Sequence, residues 1–357
     1  MAPVSDTHPS TTTATISTGA LAGSIDAGIR RFLGIPYAKP PFGPNRFAAP
    51  VPAEAWEGVR DASAHGPTAP QDPYFGPIGE LLGTVEIPGE DILTVNVWAP
   101  ADVPAGGLPV MVWIHGGALE RGTAALPGYD GATFARDGIV YVSVNYRLGS
   151  EGFSVLEGAP LNLGLADAAA AMAWVHREIA AFGGDPRRIT IAGESAGGAL
   201  VAALLMRADT APLVAAAVIE SGPLEAVAPE RAGRVTAELA KALGVSATVA
   251  DFRGLTPRRL LDARRQQAAG GNPLSGPPGF MLAIDPDSLP VSPHVGLATV
   301  EIPLVIGTNT DEYRLWFPPA ALARIGAAQL LAGRLALKIS NRAMREYKRA
   351  WPAASTG

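Results

Sequence analysis

The 357-residue sequence predicts an α/β fold: a mostly parallel central sheet with helices on both faces. Three observations carry that expectation. Strongly apolar runs rich in β-branched and aromatic residues recur, as in LPVMVWIH (108–115), IVYVSVNY (139–146), RITIAG (188–193) and IPLVIGTN (302–309). Helix-forming stretches separate the later runs. One strand-like run passes through a tight turn straight into a helix-like one, at ITIAGESAGGAL (189–200).

Taken in order, residues 1–13 are polar and are expected to form a disordered tail, leaving 14–357 as a single domain. TISTGALAGSID (15–26) alternates around Gly19 and reads as a hairpin. IRRFLGIPYAKPP (29–41) is a strand that stops at Pro36. Residues 66–90 are rich in Pro and Gly and read mostly as loop. ILTVNVWAP (92–100) alternates like a strand, and the apolar runs follow it, with LVAAAVIES (213–221) among them. Helices are expected over 162–184, ending at the Gly183–Gly184 pair, over 196–207, and from Pro229 to Gly244. The segment 333–351 places Arg334, Lys338, Arg342, Arg345 and Arg349 at helical spacing, with Leu335, Ile339 and Tyr347 on an apolar side.

Composition narrows the chemistry. Lys and Arg number 28 against 33 Asp and Glu, a net charge of -5, so nucleic acid is not the expected partner. With no cysteine, disulfides, thiolate catalysis and Cys-based zinc sites are excluded. The 5 histidines include no pair at metal-ligand spacing. The N-terminus lacks the basic start and apolar core of a signal peptide, and no run of 18 apolar residues occurs. A cytoplasmic protein without a membrane span is the default expectation.

The chemistry-bearing motif is G-x-S-x-G at Gly193–Gly197. Small residues are common at tight turns, so the motif alone says little. Between an apolar strand and a helix it reads as a nucleophile elbow, which lifts the Ser195 hydroxyl above the end of the sheet and turns the Ala196 N–H toward a developing oxyanion. A second strand runs into His115-Gly116-Gly117. Two glycines there either expose backbone N–H groups that complete an oxyanion hole or form an ordinary strand-end turn. His115 reads as a structural residue of that loop.

The ordered series FLGIPYAKPPFGPNRF, EDILTVNVWAP, VWIHGGAL, VSVNYRLG, NLGLADAAAAMAWVHREIAAFGGDPRRITIAGESAGG, ESG and IGTNTDE resembles the type B carboxylesterases, the branch of the α/β-hydrolase fold that includes cholinesterases. The likeness spans roughly residues 29–317. It implies hydrolysis of a small-molecule carboxylic ester through an acyl-enzyme, with Ser195 as nucleophile, Gly116, Gly117 and Ala196 as oxyanion hole, Glu312 as triad acid, and neither metal nor organic cofactor. Family members often carry Gly where Ala118 stands, and a disulfide in the region of 66–91. Glu312 also follows an apolar strand and a short polar loop, where this fold places its acid. Asp311 competes for the role, and the family pattern favours Glu312. From fold position, the loops at 66–90 and 270–280 are expected to shape the acyl and alcohol pockets.

The base is missing from this series. Fold order is serine, acid, histidine, and no histidine follows Glu312. His294 is the one histidine with a geometric case, at the start of a short helix before the last strand. The expectation is therefore a missing C-terminal segment, an open sheet edge at 302–309, and an esterase of very low turnover. Two other functions remain open: a non-catalytic interaction domain of the same fold, and amide or thioester cleavage by the same serine.

Overall fold

A computed structural model of the protein describes residues 10–74, 79, 82–269, 279–312, 322–336 and 339–352. Ten strands form one sheet among them: β1 (Ser10–Ile16), β2 (Gly19–Asp26), β3 (Ile29–Pro36), β4 (Val59–Asp61), β5 (Thr94–Pro100), β6 (Leu108–Ile114), β7 (Val140–Val144), β8 (Gly184–Glu194), β9 (Ala216–Glu220) and β10 (Leu304–Gly307). Their order is β1-β2-β3-β5-β7-β6-β8-β9-β10, with β4 paired to β2.

The sheet divides into two halves by connection length. The two-residue turns after β1 and β2 can join only antiparallel neighbours. Ala27 and Gly28, at φ 47° and 77°, adopt the left-handed conformation such hairpin turns demand. In the other half β7, β6, β8, β9 and β10 run parallel, because a longer crossover links each to the next.

Residues alternate between the two faces of the sheet. Val110, Val112, Ile114, Val97 and Val142 enter the main core. Trp98 and Tyr141, with Met111 and Trp113, pack on the opposite face against Ala132 and Ala135 of helix α1 (Ala132–Arg136). Helix α2 (Leu163–Glu178) packs on β8 and on α3 (Ala196–Leu204), where its alanines permit a close approach. Among the described residues no helix is long and apolar enough to cross a membrane.

Three local expectations differ from the structure. Strand β1 begins at Ser10, inside the stretch read as a polar tail, and pairs from Ser10 to Ile16 with β2. Thr11, Thr12 and Thr13 are polar but β-branched, and a pleated edge suits them. The Pro229–Gly244 stretch is two helices, Pro229–Ala232 and α4 (Arg234–Leu243), meeting at Gly233. The C-terminal basic segment likewise carries two helices: α7 (Ala327–Ala336) and α8 (Asn341–Ala350), after α5 (Pro257–Ala269) and α6 (Pro293–Gly296). Ser340 ends the continuity because its Oγ accepts from the Ala343 N–H, 3.1 Å, as an N-cap of α8. Leu335 and Tyr347 are both 68% exposed, so the apolar side of this segment is uncovered by the described residues. Strand β10 is the last in the sheet, with Val305 63% and Ile306 49% exposed.

Candidate active site

Strand β8 ends at Glu194 and helix α3 begins at Ala196, so a single residue makes the join. That residue, Ser195, has φ 54° and ψ -122°. A non-glycine side chain rarely takes this conformation, and it persists where its surroundings over-determine it. The surroundings here are backbone. The Ser195 N–H donates to the Glu220 carbonyl of β9 (2.8 Å), and its carbonyl accepts from Ala199 (3.0 Å). A Cβ on Gly197 would lie 2.0 Å from the Ile114 carbonyl oxygen, so only glycine lets α3 sit this close to β6.

The end of β6 supplies the facing loop. A Cβ on Gly116 would lie 3.2 Å from the Ser195 Cβ and 2.7 Å from a Glu194 carboxylate oxygen. Bare backbone therefore faces the elbow. Among the described residues none accepts a hydrogen bond from the N–H of Gly116, Gly117 or Ala196. A cleft of about 90 Å³ opens against Gly116 and Gly117, with Glu194, Tyr74, Tyr129 and Arg121 in its wall.

His115 aims this loop. Its Nδ1 lies 2.8 Å from the Gly116 carbonyl oxygen; a carbonyl only accepts, so Nδ1 carries the proton. The peptide joining Gly116 to Gly117 is planar, so holding that oxygen fixes the opposite direction of the Gly117 N–H. The ring stacks on Tyr146 at 4.6 Å, and the Tyr146 hydroxyl donates to the His115 carbonyl (2.8 Å). Burial lowers the imidazole to about 4, while its bond to Gly116 works the other way. An unfolded histidine titrates near 6.5. The folded protein thus binds fewer protons than the unfolded chain between these values. The stability this gives is complete above pH 6.5 and is lost as pH falls toward 4, by about 3 kcal/mol. Urea unfolding at steps between pH 7.5 and 4.5 is expected to give a flatter pH slope for His115→Gln than for the parent; equal slopes would refute the assignment.

Glu312 lies beyond the end of β10, two strands from β8. One of its oxygens accepts from the Ser221 hydroxyl and from the Asn309 N–H (3.0 Å), and these two bonds hold its carboxyl below the usual carboxylate range. Ser221, at φ 50°, is fixed by its own N–H to the Gly307 carbonyl (2.8 Å). The structure brings Glu312 to the edge that carries Ser195: Glu220 is aligned with Glu194 of β8 on one side and with Gly307 of β10 on the other. Desolvation raises the Glu194 carboxyl above its ordinary value, and the charges of Glu312 and then Glu220 raise it further. Asp311 is exposed. Nothing in the sequence patterns assigns a role to Glu194 or Ser221. Glu194 adjoins the motif serine and Ser221 lies in the ESG stretch, but both take their places only when β8, β9 and β10 align.

The other histidines lie as follows. His65 is within 3.2 Å of the Asn96 side-chain oxygen, beside Trp98. His176 is exposed on α2. His294, exposed on α6, has its Nδ1 2.9 Å from the Ser292 hydroxyl. His8 and most of the 270–280 loop lie outside the described residues. Among the described residues no histidine nitrogen hydrogen-bonds to Ser195, and no group of three or more His, Cys, Asp or Glu could hold a metal ion.

The sequence profile of the Carboxylesterase family matches residues 10–350. The chain belongs to this family. The chain is 42% identical over 314 residues to the para-nitrobenzyl esterase of Bacillus subtilis, covering 84% of this chain and 63% of that one. It is 39% identical over 306 residues to the phenmedipham hydrolase of Pseudarthrobacter oxydans, covering 82% and 60%. Among solved structures, a Geobacillus stearothermophilus carboxylesterase superposes with a TM-score of 0.83 at 33% identity, covering 96% of this chain and 72% of that one. This places the protein in the α/β-hydrolase fold. The chain thus spans about 60% of the length of the two relatives named first.

Proposed function

We propose that the protein is a serine-dependent carboxylic ester hydrolase. Ser195 Oγ attacks the ester carbonyl, the oxyanion is received by the N–H groups of Gly116, Gly117 and Ala196, the alcohol departs, and water releases the acyl group. The observation that carries the proposal is the φ of 54° at Ser195, between a buried strand and a helix, with bare glycine backbone opposite. Glu312 is the acid in this reading: in a triad it orients the base rather than touching the nucleophile, and here it is held by Ser221 and Asn309. Membership of a family whose relatives include named esterases supports the reaction class.

Fluorophosphonate labelling tests the nucleophile. The probe is expected to modify Ser195 and no other residue by peptide mass mapping, and Ser195→Ala to abolish the adduct. A label elsewhere, or no label even when the chain is extended by a histidine-bearing C-terminal segment, would sink the proposal and leave a non-catalytic domain. A panel of p-nitrophenyl esters, anilides and thioesters then fixes the acyl chemistry.

A further inference from the structure

The loop that follows Gly116 is held in a conformation its own sequence does not favour. Gly117, Ala118 and Leu119 have φ of 114°, 58° and 61°, two of them non-glycine and consecutive. The turn closes when the Gly117 carbonyl accepts from the N–H groups of Glu120 and Arg121, both at 3.0 Å. That carbonyl belongs to Gly117, whose own N–H is one of the assigned donors, so the position of Glu120 constrains the residue that presents it. Leu119 is tied by its carbonyl to the Gly149 N–H (2.7 Å), and Gly122 by Gln71. Glu120 is tied to a helix 144 residues away: its Oε1 accepts from Arg264 Nε (3.2 Å) and a terminal nitrogen (2.7 Å). Both side chains are largely buried, at 14% and 13% exposure.

The apolar burial that anchors α5 comes from residues other than Arg264. Leu260 and Ala263 are the buried residues of that helix, and α5 packs on α4. The guanidinium instead leans over the Phe280 ring (5.7 Å) and reaches the loop. A largely buried ion pair is a poor source of stability, because desolvation offsets much of the attraction, but it fixes geometry. The other Glu120 oxygen lies 3.8 Å from Arg121, which borders the cleft at Gly116 and Gly117.

We propose that Glu120 and Arg264 are positioning residues for the reaction at Ser195, the ion pair between them holding the Gly116–Gly122 loop in the form that receives the oxyanion. The inference rests on the nucleophile assignment above. A displacement of about 1 Å at such a loop slows reaction on the order of 10²-fold.

Four variants test it: Glu120→Gln, Arg264→Met, the charge-exchanged pair Glu120→Arg with Arg264→Glu, and Arg258→Met, which removes an exposed ion pair with Asp262 on the same helix and a longer one, 3.6 Å, to Asp72. Fluorophosphonate concentration series separate the maximal rate of Ser195 modification from the half-saturating concentration. Glu120→Gln and Arg264→Met are expected to lower the maximal rate about 10- to 100-fold with little change in half-saturation. The exchanged pair recovers most of the loss, and Arg258→Met has no effect. Amide hydrogen exchange of residues 116–122 is read in parallel, and is expected to be faster in both single variants and restored in the exchange. Unchanged labelling rates in the single variants overturn the proposal. If the parent does not label even when extended by a histidine-bearing C-terminal segment, the nucleophile assignment has failed, and the exchange data alone decide the pair: unchanged protection of 116–122 in both single variants overturns it too.

Discussion

Extended by a C-terminal segment that brings a histidine between Ser195 and Glu312, the protein is expected to hydrolyse p-nitrophenyl butyrate several orders of magnitude faster than the 357 residues alone. The argument is about one proton. A serine hydroxyl at neutral pH is a weak nucleophile until a base takes its hydrogen. His115 is not that base: its Nδ1 is committed to the Gly116 carbonyl, and its buried Nε2 makes no hydrogen bond to Ser195 or to any other described residue. Of the other histidines among the described residues, His65 is engaged at Asn96, His176 faces solvent on α2, and His294 contacts Ser292. Removing the base from such a unit costs on the order of 10⁶ in turnover, whereas an oxyanion hole and binding retain roughly 10³ over water. The comparison needs three proteins: the chain, its Ser195→Ala variant, and the extended form. The first two are expected to differ little and the third to exceed both. Fast turnover by the unextended chain, lost in Ser195→Ala, would refute the argument, and His294→Ala would then show whether His294 is the base.

What the sequence makes legible depends on how far apart the interacting residues lie. The elbow is written in five consecutive residues. An apolar strand, a serine between two glycines and a small-residue helix start leave few other conformations, and the backbone at Ser195 follows. The facing loop is half legible. Gly116 and Gly117 announce close approach, but nothing local predicts left-handed Ala118 and Leu119. That strain is imposed by Gly149, Gln71 and Arg264, which are remote in sequence. Least legible is the acidic cluster. Ser221 and Glu312 are 91 residues apart, and they meet because β9 and β10 pair in a register that aligns Glu220 with Gly307. Strand β1 was hidden for another reason: threonines count as polar in composition but behave as strand formers when an edge is offered.

Asp167→Ala is expected to lower the free energy of unfolding by about 3–5 kcal/mol, the largest single loss of stability foreseen for this protein. Arg147 and Asp167 are 1% and 0% exposed. The guanidinium donates to both Asp167 oxygens through Nε and a terminal nitrogen, each at 2.7 Å, and the Arg147 backbone N–H adds a third bond at 3.0 Å. Its other terminal nitrogen reaches the Ala48 carbonyl at 2.8 Å. Burial by itself pushes the Arg147 guanidinium down, but the Asp167 charge, the hydrogen bonds to Asp167 and the charges of Tyr37 and Glu151 together outweigh it and hold the group above its ordinary value. Deleting the carboxylate leaves a cation that can neither reach water nor lose its proton. The effect belongs to the unpaired charge, so the double variant Arg147→Met with Asp167→Leu is expected to recover most of the loss. Urea titration of parent, single and double variants measures all three. A single variant within about 1 kcal/mol of the parent, or a double variant as unstable as the single, would show that water reaches this pair. The pair also bears on the candidate site, because Arg147 lies two residues before Gly149, whose N–H holds Leu119. Asp167→Ala is accordingly expected to slow fluorophosphonate labelling of Ser195 even at urea-free conditions where the variant remains folded, and the double variant to restore it.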